Sequence, residues 1–165
     1  MGQLTAHRTM WRQMTEAVRL RAKQEVVASA KITLKSAYLY ISDPSEGSGY
    51  SYTHDLGVKG MQSNLGLKED QIERKIVDDS DAVATQEAIE ACISDGCNII
   101  FTTSWGYMDT TEKMAEKYPE VYFSHGTGYK SNGKNFTNYF GRIYQARYLS
   151  GIVAGMNTKS GKIGY

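Results

Sequence analysis

The run NIIFTT at residues 98–103 gives the clearest indication of fold in this sequence. It is a short apolar stretch with branched and aromatic side chains, and it lies between the turn SDG at 94–96 and a polar stretch that begins at Ser104. Such a run is typical of a strand that is buried on both faces, as the central strands of parallel sheets are. We therefore expect a central strand with helices packed on either side of it.

The hydrophobic pattern on both sides of this run alternates between the strand period and the helix period. Predicted strands lie at 32–41, 72–77, 98–103, 121–124 and 136–140, with a strand-like segment at 162–165. Predicted helices lie at 53–65, 82–93, 110–118 and 142–156, and Asp79 or Ser80 is the expected cap of the second. Repeated strand–helix units predict an α/β fold, a three-layer parallel sheet with helices on both faces.

Composition limits the class of protein. The chain has 165 residues and a formal net charge of +1, which suits a packed globular protein and gives no reason to expect nucleic-acid binding. Residues 1–30 carry five basic and two acidic side chains and predict a basic amphipathic leader helix, which is solvated, partly packed or vector-derived. This segment lacks the apolar run and the cleavage site of a signal peptide. Cys92 and Cys97 are expected to be free thiols, and no metal site is predicted.

Three loops follow predicted strands and are candidates for a binding site. Ligands of doubly wound parallel sheets bind beyond the carboxyl ends of the strands, which selects residues 42–52, 104–109 and 125–134. These loops are rich in aromatic, hydroxyl and carboxylate groups: Asp43, Glu46, Tyr50, Ser51, Tyr52, Ser104, Trp105, Tyr107, Asp109, His125, Thr127, Tyr129 and Lys130. Aromatic faces stack on flat ligands and polar groups orient them. The three loops therefore predict a site for a small, flat, polar molecule.

Four segments of the chain, taken together, resemble a known family. They are GYSYTHDLG (49–57), IIFTTSWGYMD (99–109), YPEVYFSHGTGYK (118–130) and NYFGRIYQARYLSGIVAGMNTKSGKIGY (138–165). Their order and spacing are similar to those of the basic membrane protein family, substrate-binding proteins of ABC importers that include purine nucleoside receptors. The resemblance covers residues 31–165 and implies the first lobe of a type I periplasmic-binding fold.

The resemblance implies a two-lobed receptor that closes on its ligand by a hinge motion and catalyses no reaction. Its ligand would be a purine nucleoside or base, its partner an ABC permease, and it would need no cofactor. Family members are extracytoplasmic lipoproteins or periplasmic proteins, although this chain shows neither an export signal nor a lipid anchor. The alternative is a cytoplasmic ligand-sensing transcriptional regulator built on the same domain. An enzyme of flavodoxin-like architecture is a more distant alternative.

In the first loop, the resemblance assigns roles to two neighbouring residues. Tyr50 falls where the family places the aromatic ring that stacks on the base. Ser51 falls where the family often has an asparagine that hydrogen-bonds the base, and a serine makes fewer such bonds. The acidic residue that the family has just before this pair is displaced by one position here, so that either Glu46 or Asp43 could serve.

In the second loop, Asp109 falls at an acidic position that contacts the base in nucleoside receptors. Trp105, with the adjoining Gly106, is expected to form a second wall of the site. The resemblance also divides the chain, with a first lobe at 31–140 and the opening helix and strand of a second lobe at 141–165. We therefore expect an amino-terminal part of a longer receptor, which alone would bind purines weakly.

Overall fold

The computed structural model describes residues 33–164, so the predicted leader helix lies outside the described residues. The described part forms five strands: β1 Ser36–Tyr40, β2 Ile72–Ile76, β3 Ile99–Thr102, β4 Tyr122–Gly126 and β5 Phe136–Tyr139. Its four α-helices are α1 Gly49–Leu65, α2 Ala82–Ser94, α3 Met108–Lys117 and α4 Ile143–Asn157. Each predicted strand and helix in this range is found, except the strand-like segment at 162–165, whose described residues 162–164 lie outside the sheet.

All strand pairs in the described sheet are parallel, and the strand order is β2-β1-β3-β4-β5. The chain therefore builds outward from β1 in both directions, and the direction reverses between β1 and β3. This doubly wound topology confirms the predicted α/β fold. A crevice forms at such a reversal beyond the carboxyl ends of the strands, where the loops after β1 and β3 separate.

Helices α2 and α3 cover one face of the sheet. The core on this side includes Leu39, Ile89, Ile100, Met114 and Phe123, all of them buried. Burial of an aliphatic or aromatic side chain of this size stabilises a fold by about 1.5–3 kcal/mol. This face therefore supplies much of the free energy that holds β1, β3 and β4 in place.

The opposite face is covered only in part. Helix α1 packs on β1 and β2 through Val58 and Met61, which meet Tyr38, Tyr40 and Ile72. Side chains of β3 that point to this face, such as Phe101, are only half-buried, and β3 alternates between buried and half-buried positions. The expectation that 98–103 is buried on both faces is therefore wrong. The buried residues of α1 on this side pack with β1 and β2, and α4 buries none of its residues, so this face of β3 stays half-exposed.

A buried ion cluster fixes α1 to β2. The carboxylate of Asp55 on α1 is 2.7 Å from Arg74 Nε on β2 and 2.9 Å from Lys59 Nζ, and Tyr40 Oη donates to it at 3.3 Å. Burial pushes the pKa of Asp55 upward, but the two cations outweigh burial and leave it below its ordinary value. Asp55 is thus a buried carboxylate whose charge is matched by its partners.

The start of α1 and the cap of α2 differ from the expectations. Helix α1 begins at Gly49 instead of residue 53, because the 3-10 turn Pro44–Glu46 already reverses the chain after β1. Its end is as predicted, with Gly66 in the left-handed region at φ 65°. The cap of α2 is neither Asp79 nor Ser80 but Asp81, whose Oδ1 accepts from Val83 N at 3.0 Å and Ala84 N at 2.9 Å. Asp79 is therefore available for another role.

Candidate functional site

The carboxyl edge of the sheet is the surface formed by residues 42–52, 77–81, 103–109 and 126–130. Tyr50 enters it from the first turn of α1, and its hydroxyl donates to the backbone oxygen of Thr103 at the end of β3. Its ring is 41% exposed and meets the ring of His54 edge-on at 4.6 Å. Burial of the hydroxyl raises the pKa of Tyr50, so this group stays protonated at neutral pH. Tyr50 thus spans the crevice between β1 and β3, and part of the residue remains exposed.

Ser51 is fully buried, in contrast to its neighbour Tyr50. Its hydroxyl oxygen accepts hydrogen bonds from Ser42 N at 3.2 Å and from Ser42 Oγ at 3.0 Å. In this conformation the side chain joins the start of α1 to the end of β1 and presents no surface to a ligand. A binding role for Ser51 would need this loop to open.

The two candidate acidic residues of the first loop differ in what they contact. Asp43 caps the 3-10 turn Pro44–Glu46, and its Oδ1 accepts from Ser45 N at 2.8 Å. This bond holds the pKa of Asp43 below its ordinary value. Glu46 is exposed, and within residues 33–164 its carboxylate makes no hydrogen bond or ion pair. Both residues are exposed, and Glu46 is the one whose carboxylate has no partner among the described residues.

Trp105 lies at the same edge in a 3-10 turn, Trp105–Tyr107, that leads from β3 into α3. Its ring is 57% exposed and lies 5.7 Å from the ring of Tyr129, which comes from the loop after β4. The Tyr50 hydroxyl is hydrogen-bonded to the backbone oxygen of Thr103, which lies two residues before Trp105. The structure therefore brings the aromatic residues of all three candidate loops to one edge.

Asp79 also lies at this edge, although the sequence analysis gave it, with Ser80, as an alternative cap of α2. Its Oδ2 accepts from Ser104 Oγ at 2.5 Å and from Gly106 N at 3.3 Å. The β2–α2 loop follows the carboxyl end of a strand, like the three loops that were selected. Extending the crevice rule to this fourth loop would have found Asp79.

Asp109 is in the first turn of α3 and is 72% exposed at its side chain. Its Oδ1 is 2.8 Å from Lys130 Nζ, which also lies 2.6 Å from Glu112 Oε2. The bonds to these two carboxylates raise the pKa of Lys130, and the bond to Lys130 lowers the pKa of Asp109. Asp109 is therefore an ionised, exposed carboxylate that ties the loop after β4 to α3.

Besides Ser51, the candidate residues Tyr107 and His125 are interior residues instead of edge residues. Tyr107 is fully buried, and its hydroxyl donates to Val77 O at 2.6 Å. His125 is also fully buried, with Nδ1 3.0 Å from Thr102 Oγ1 and with Nε2 unpartnered among the described residues. A Cβ on Gly128 would lie 2.6 Å from that Nε2, so the loop after β4 closes directly over the ring. Burial lowers the pKa of His125 to about 4, and the ring is neutral at pH 7.

Residues 33–164 contain no group of three or more histidine, cysteine or acidic side chains that could hold a metal ion. None of the helices in that range combines the length and apolarity that a membrane span requires. Cys92 and Cys97 are buried free thiols. The side chains at the carboxyl edge offer aromatic surfaces, hydroxyls, carboxylates and the ammonium group of Lys130.

A comparison with protein families matches residues 34–165 to the family described as ABC transporter substrate-binding protein PnrA-like. The chain belongs to this family. A purine-binding protein of Brucella abortus is 37% identical to it over 139 residues, which are 84% of this chain and 38% of that protein. A Haloferax volcanii protein named "Putative ABC transporter glucose-binding protein TsgA13" is 35% identical over 134 residues, 81% of this chain and 32% of that protein. The chain thus spans about a third of the length of these relatives.

Solved structures show the same fold at low sequence identity. An ABC transporter solute-binding protein from Conexibacter woesei has a TM-score of 0.54 at 16% identity, over 74% of this chain and 40% of that one. A lipoprotein fragment from Peptoclostridium difficile has a TM-score of 0.51 at 21% identity, over 76% of this chain and 99% of the fragment. A transcriptional activator of comK from Bacillus halodurans reaches 0.54 at 18%, over 77% of this chain and 41% of that one.

The family assignment confirms the resemblance stated from the sequence. The family is described as a substrate-binding protein of an ABC transporter, which is a binding function and not an enzymatic one. The likeness to the comK activator concerns the fold alone, and both curated relatives are named as binding proteins. The comparisons therefore do not favour the regulator alternative.

Proposed function

We propose that this chain is the first lobe of an ABC-importer receptor and that its carboxyl edge forms one wall of a site for a purine base or nucleoside. The observation that carries the proposal is the grouping of Tyr50, Trp105 and Tyr129, three exposed aromatic side chains from three loops, at one edge of a parallel sheet. Exposed aromatic groups at that place have no packing role in the core. A flat heterocycle is the ligand that such surfaces suit.

Aromatic stacking and hydrogen bonding would both contribute to ligand recognition. Stacking of a base on an aromatic side chain contributes about 1–3 kcal/mol. Carboxylates accept hydrogen bonds from exocyclic amino groups, ring N–H groups and ribose hydroxyls. We assign the acceptor roles to Asp109 and Glu46, which are exposed carboxylates of the candidate loops.

The relatives support the ligand class and the context. The purine-binding relative shares 37% of its residues with the chain over the matched region. We propose that residues 31–140 form the first lobe and 141–165 the opening of a second, in which the exposed apolar side chains of α4 would pack. The receptor would act outside the cytoplasm, with an ABC permease as its partner.

Calorimetric titration of the 165-residue chain with adenosine, guanosine, adenine and glucose tests the ligand class. We expect weak binding of the purines and none of glucose, because one lobe supplies only part of the contacts. Trp105→Ala should weaken adenosine binding by about 5- to 150-fold, which corresponds to a stacking contribution of about 1–3 kcal/mol. The matched control is Tyr122→Ala, since Tyr122 is 60% exposed but lies at the opposite, amino end of β4.

Two results would count against the proposal. Binding of glucose without binding of purines would show that the ligand is a sugar and not a purine. Equal effects of Trp105→Ala and Tyr122→Ala on adenosine affinity would show that the ligand does not bind at the carboxyl edge. Tight purine binding by the chain would instead contradict the need for a second lobe.

A further inference from the structure

Two neighbouring loops are joined through one carboxylate oxygen at the carboxyl edge. Asp79 Oδ2, in the β2–α2 loop, accepts from Ser104 Oγ at 2.5 Å and from Gly106 N at 3.3 Å. These two donors belong to the residues immediately before and after Trp105. The Trp105 turn, residues 104–107, is therefore held on both sides of the tryptophan by a single side-chain atom.

The two loops are also in close contact through their backbones. A Cβ on Gly106 would collide with the backbone oxygen of Asp79 and would lie 2.8 Å from Asp79 Cγ. Only glycine lets the Trp105 turn approach this closely. Tyr107 adds a third bond between the loops, since its hydroxyl donates to Val77 O at 2.6 Å.

The carboxylate of Asp79 has no other structural task among the described residues. The cap of α2 is Asp81, and Asp79 forms no ion pair within residues 33–164. The neighbouring Asp78 accepts hydrogen bonds from Ser80 N at 2.9 Å and from Ser80 Oγ at 2.7 Å. The hydrogen bonds of Asp79 go to the Trp105 turn alone.

The ring of Trp105 itself is held by few packing contacts. It is 57% exposed, and the aromatic ring it meets, that of Tyr129, is 71% exposed. The orientation of the indole therefore depends on the backbone that carries it. A ring that is already held in its binding position loses less conformational freedom when a ligand arrives.

We infer that Asp79 is a positioning residue for the ligand site, which fixes the Trp105 turn so that the indole ring forms a ready wall at the carboxyl edge. This inference rests on the proposed function as far as the ligand is concerned. The positioning itself is a property of the free protein and is measurable without a ligand.

The experiment uses the 165-residue chain with Trp11→Phe, which leaves Trp105 as its single tryptophan. Asp79→Ala removes both bonds. Asp79→Asn keeps one oxygen that can accept from both donors but removes the charge, so it separates hydrogen bonding from electrostatics. Asp78→Ala is the matched control, because it removes a neighbouring carboxylate that also accepts two bonds.

The first measurement is quenching of Trp105 fluorescence by acrylamide, a neutral quencher, in the absence of ligand. We expect Asp79→Ala to raise the quenching constant, Asp79→Asn to raise it little, and Asp78→Ala to leave it unchanged. Gly106→Ala should raise it as well, since it forces the same two loops apart. If Asp79→Ala does not fold by circular dichroism, Ser104→Ala removes one of the two bonds and should give a smaller rise.

The second measurement is the dissociation constant for adenosine. Asp79→Ala should raise this dissociation constant about tenfold, and Asp79→Asn should raise it much less. In a Trp105→Ala background, Asp79→Ala should have no further effect, because it acts through the indole.

Two results would overturn the inference. One is an unchanged quenching constant in Asp79→Ala and Gly106→Ala. The other is a loss of affinity from Asp79→Ala that persists undiminished without Trp105. If no variant and not even the parent binds adenosine, the proposed ligand class fails, while the quenching result still decides whether Asp79 positions the turn.

Discussion

Asp55 and Asp79 are two carboxylates that each accept hydrogen bonds from a neighbouring element, yet their surroundings differ. Asp55 is 3% exposed, and Arg74 and Lys59 balance its charge between α1 and β2. Asp79 is half-buried at the carboxyl edge, has no ion pair among the described residues and holds a backbone turn that carries an exposed tryptophan. The comparison separates residues that stabilise the fold from residues that shape the site.

Removing the buried carboxylate should have the largest effect on stability. Asp55→Ala leaves the Arg74 guanidinium without its buried partner, and we expect a loss of about 3–5 kcal/mol in the free energy of unfolding. Urea denaturation at pH 7 measures it. The control is Glu69→Ala, because Glu69 also pairs with Arg74, at 2.8 Å, but its side chain is 74% exposed. A loss below about 1 kcal/mol in both variants would show that the cluster does not anchor α1.

The next largest effect concerns acid stability. The pKa of His125 is about 4 in the folded protein and about 6.5 in an unfolded chain, so the unfolded state binds the proton more readily. The stabilisation is fully present above pH 6.5 and is lost as the pH falls from 6.5 toward 4. We expect a decrease of roughly 3 kcal/mol in the free energy of unfolding over that range.

Urea denaturation at several pH values tests the role of His125. His125→Gln should remove most of the pH slope between 6.5 and 4.5. His54→Gln is the control, since burial lowers the pKa of the half-buried His54 as well. A slope that survives in His125→Gln would assign acid sensitivity to another group.

The smallest effect on stability is expected at the carboxyl edge. Asp109→Asn removes an exposed ion pair, and Lys130 keeps Glu112 as a partner, so the free energy of unfolding should change by less than about 1 kcal/mol. Under the proposed function the same variant should still weaken adenosine binding. Loss of stability without loss of adenosine affinity would show that Asp109 stabilises the fold and does not bind the ligand.

The period of the hydrophobic pattern was sufficient to predict the five described strands and four helices. It could not show how much of each sheet face is covered, because that depends on where α1 packs across the strands. Phe101 is half-buried for this reason, although its sequence neighbourhood is apolar.

The site residues were predicted less completely. Four polar residues in a row at 78–81 each fit a helix cap, and the choice depends on the residue at which α2 begins. Asp81 caps the helix, and this leaves Asp79 for the Trp105 turn. Ser51 and Tyr107 were candidates from their place in loops, but the chain turns both side chains inward. A sequence position after a strand predicts proximity to the edge, but the local turn decides which way the side chain points.

A titration of the ¹⁵N-labelled chain with adenosine, followed by amide NMR spectra, tests the central claim most directly, and it detects weak binding. The account predicts that the shifts concentrate at Tyr50, residues 104–107 and residues 126–130, while Asp55 and Arg74 remain unchanged. Shifts that cluster around Asp55 and Arg74, or no shifts at millimolar adenosine, would contradict a purine site at the carboxyl edge.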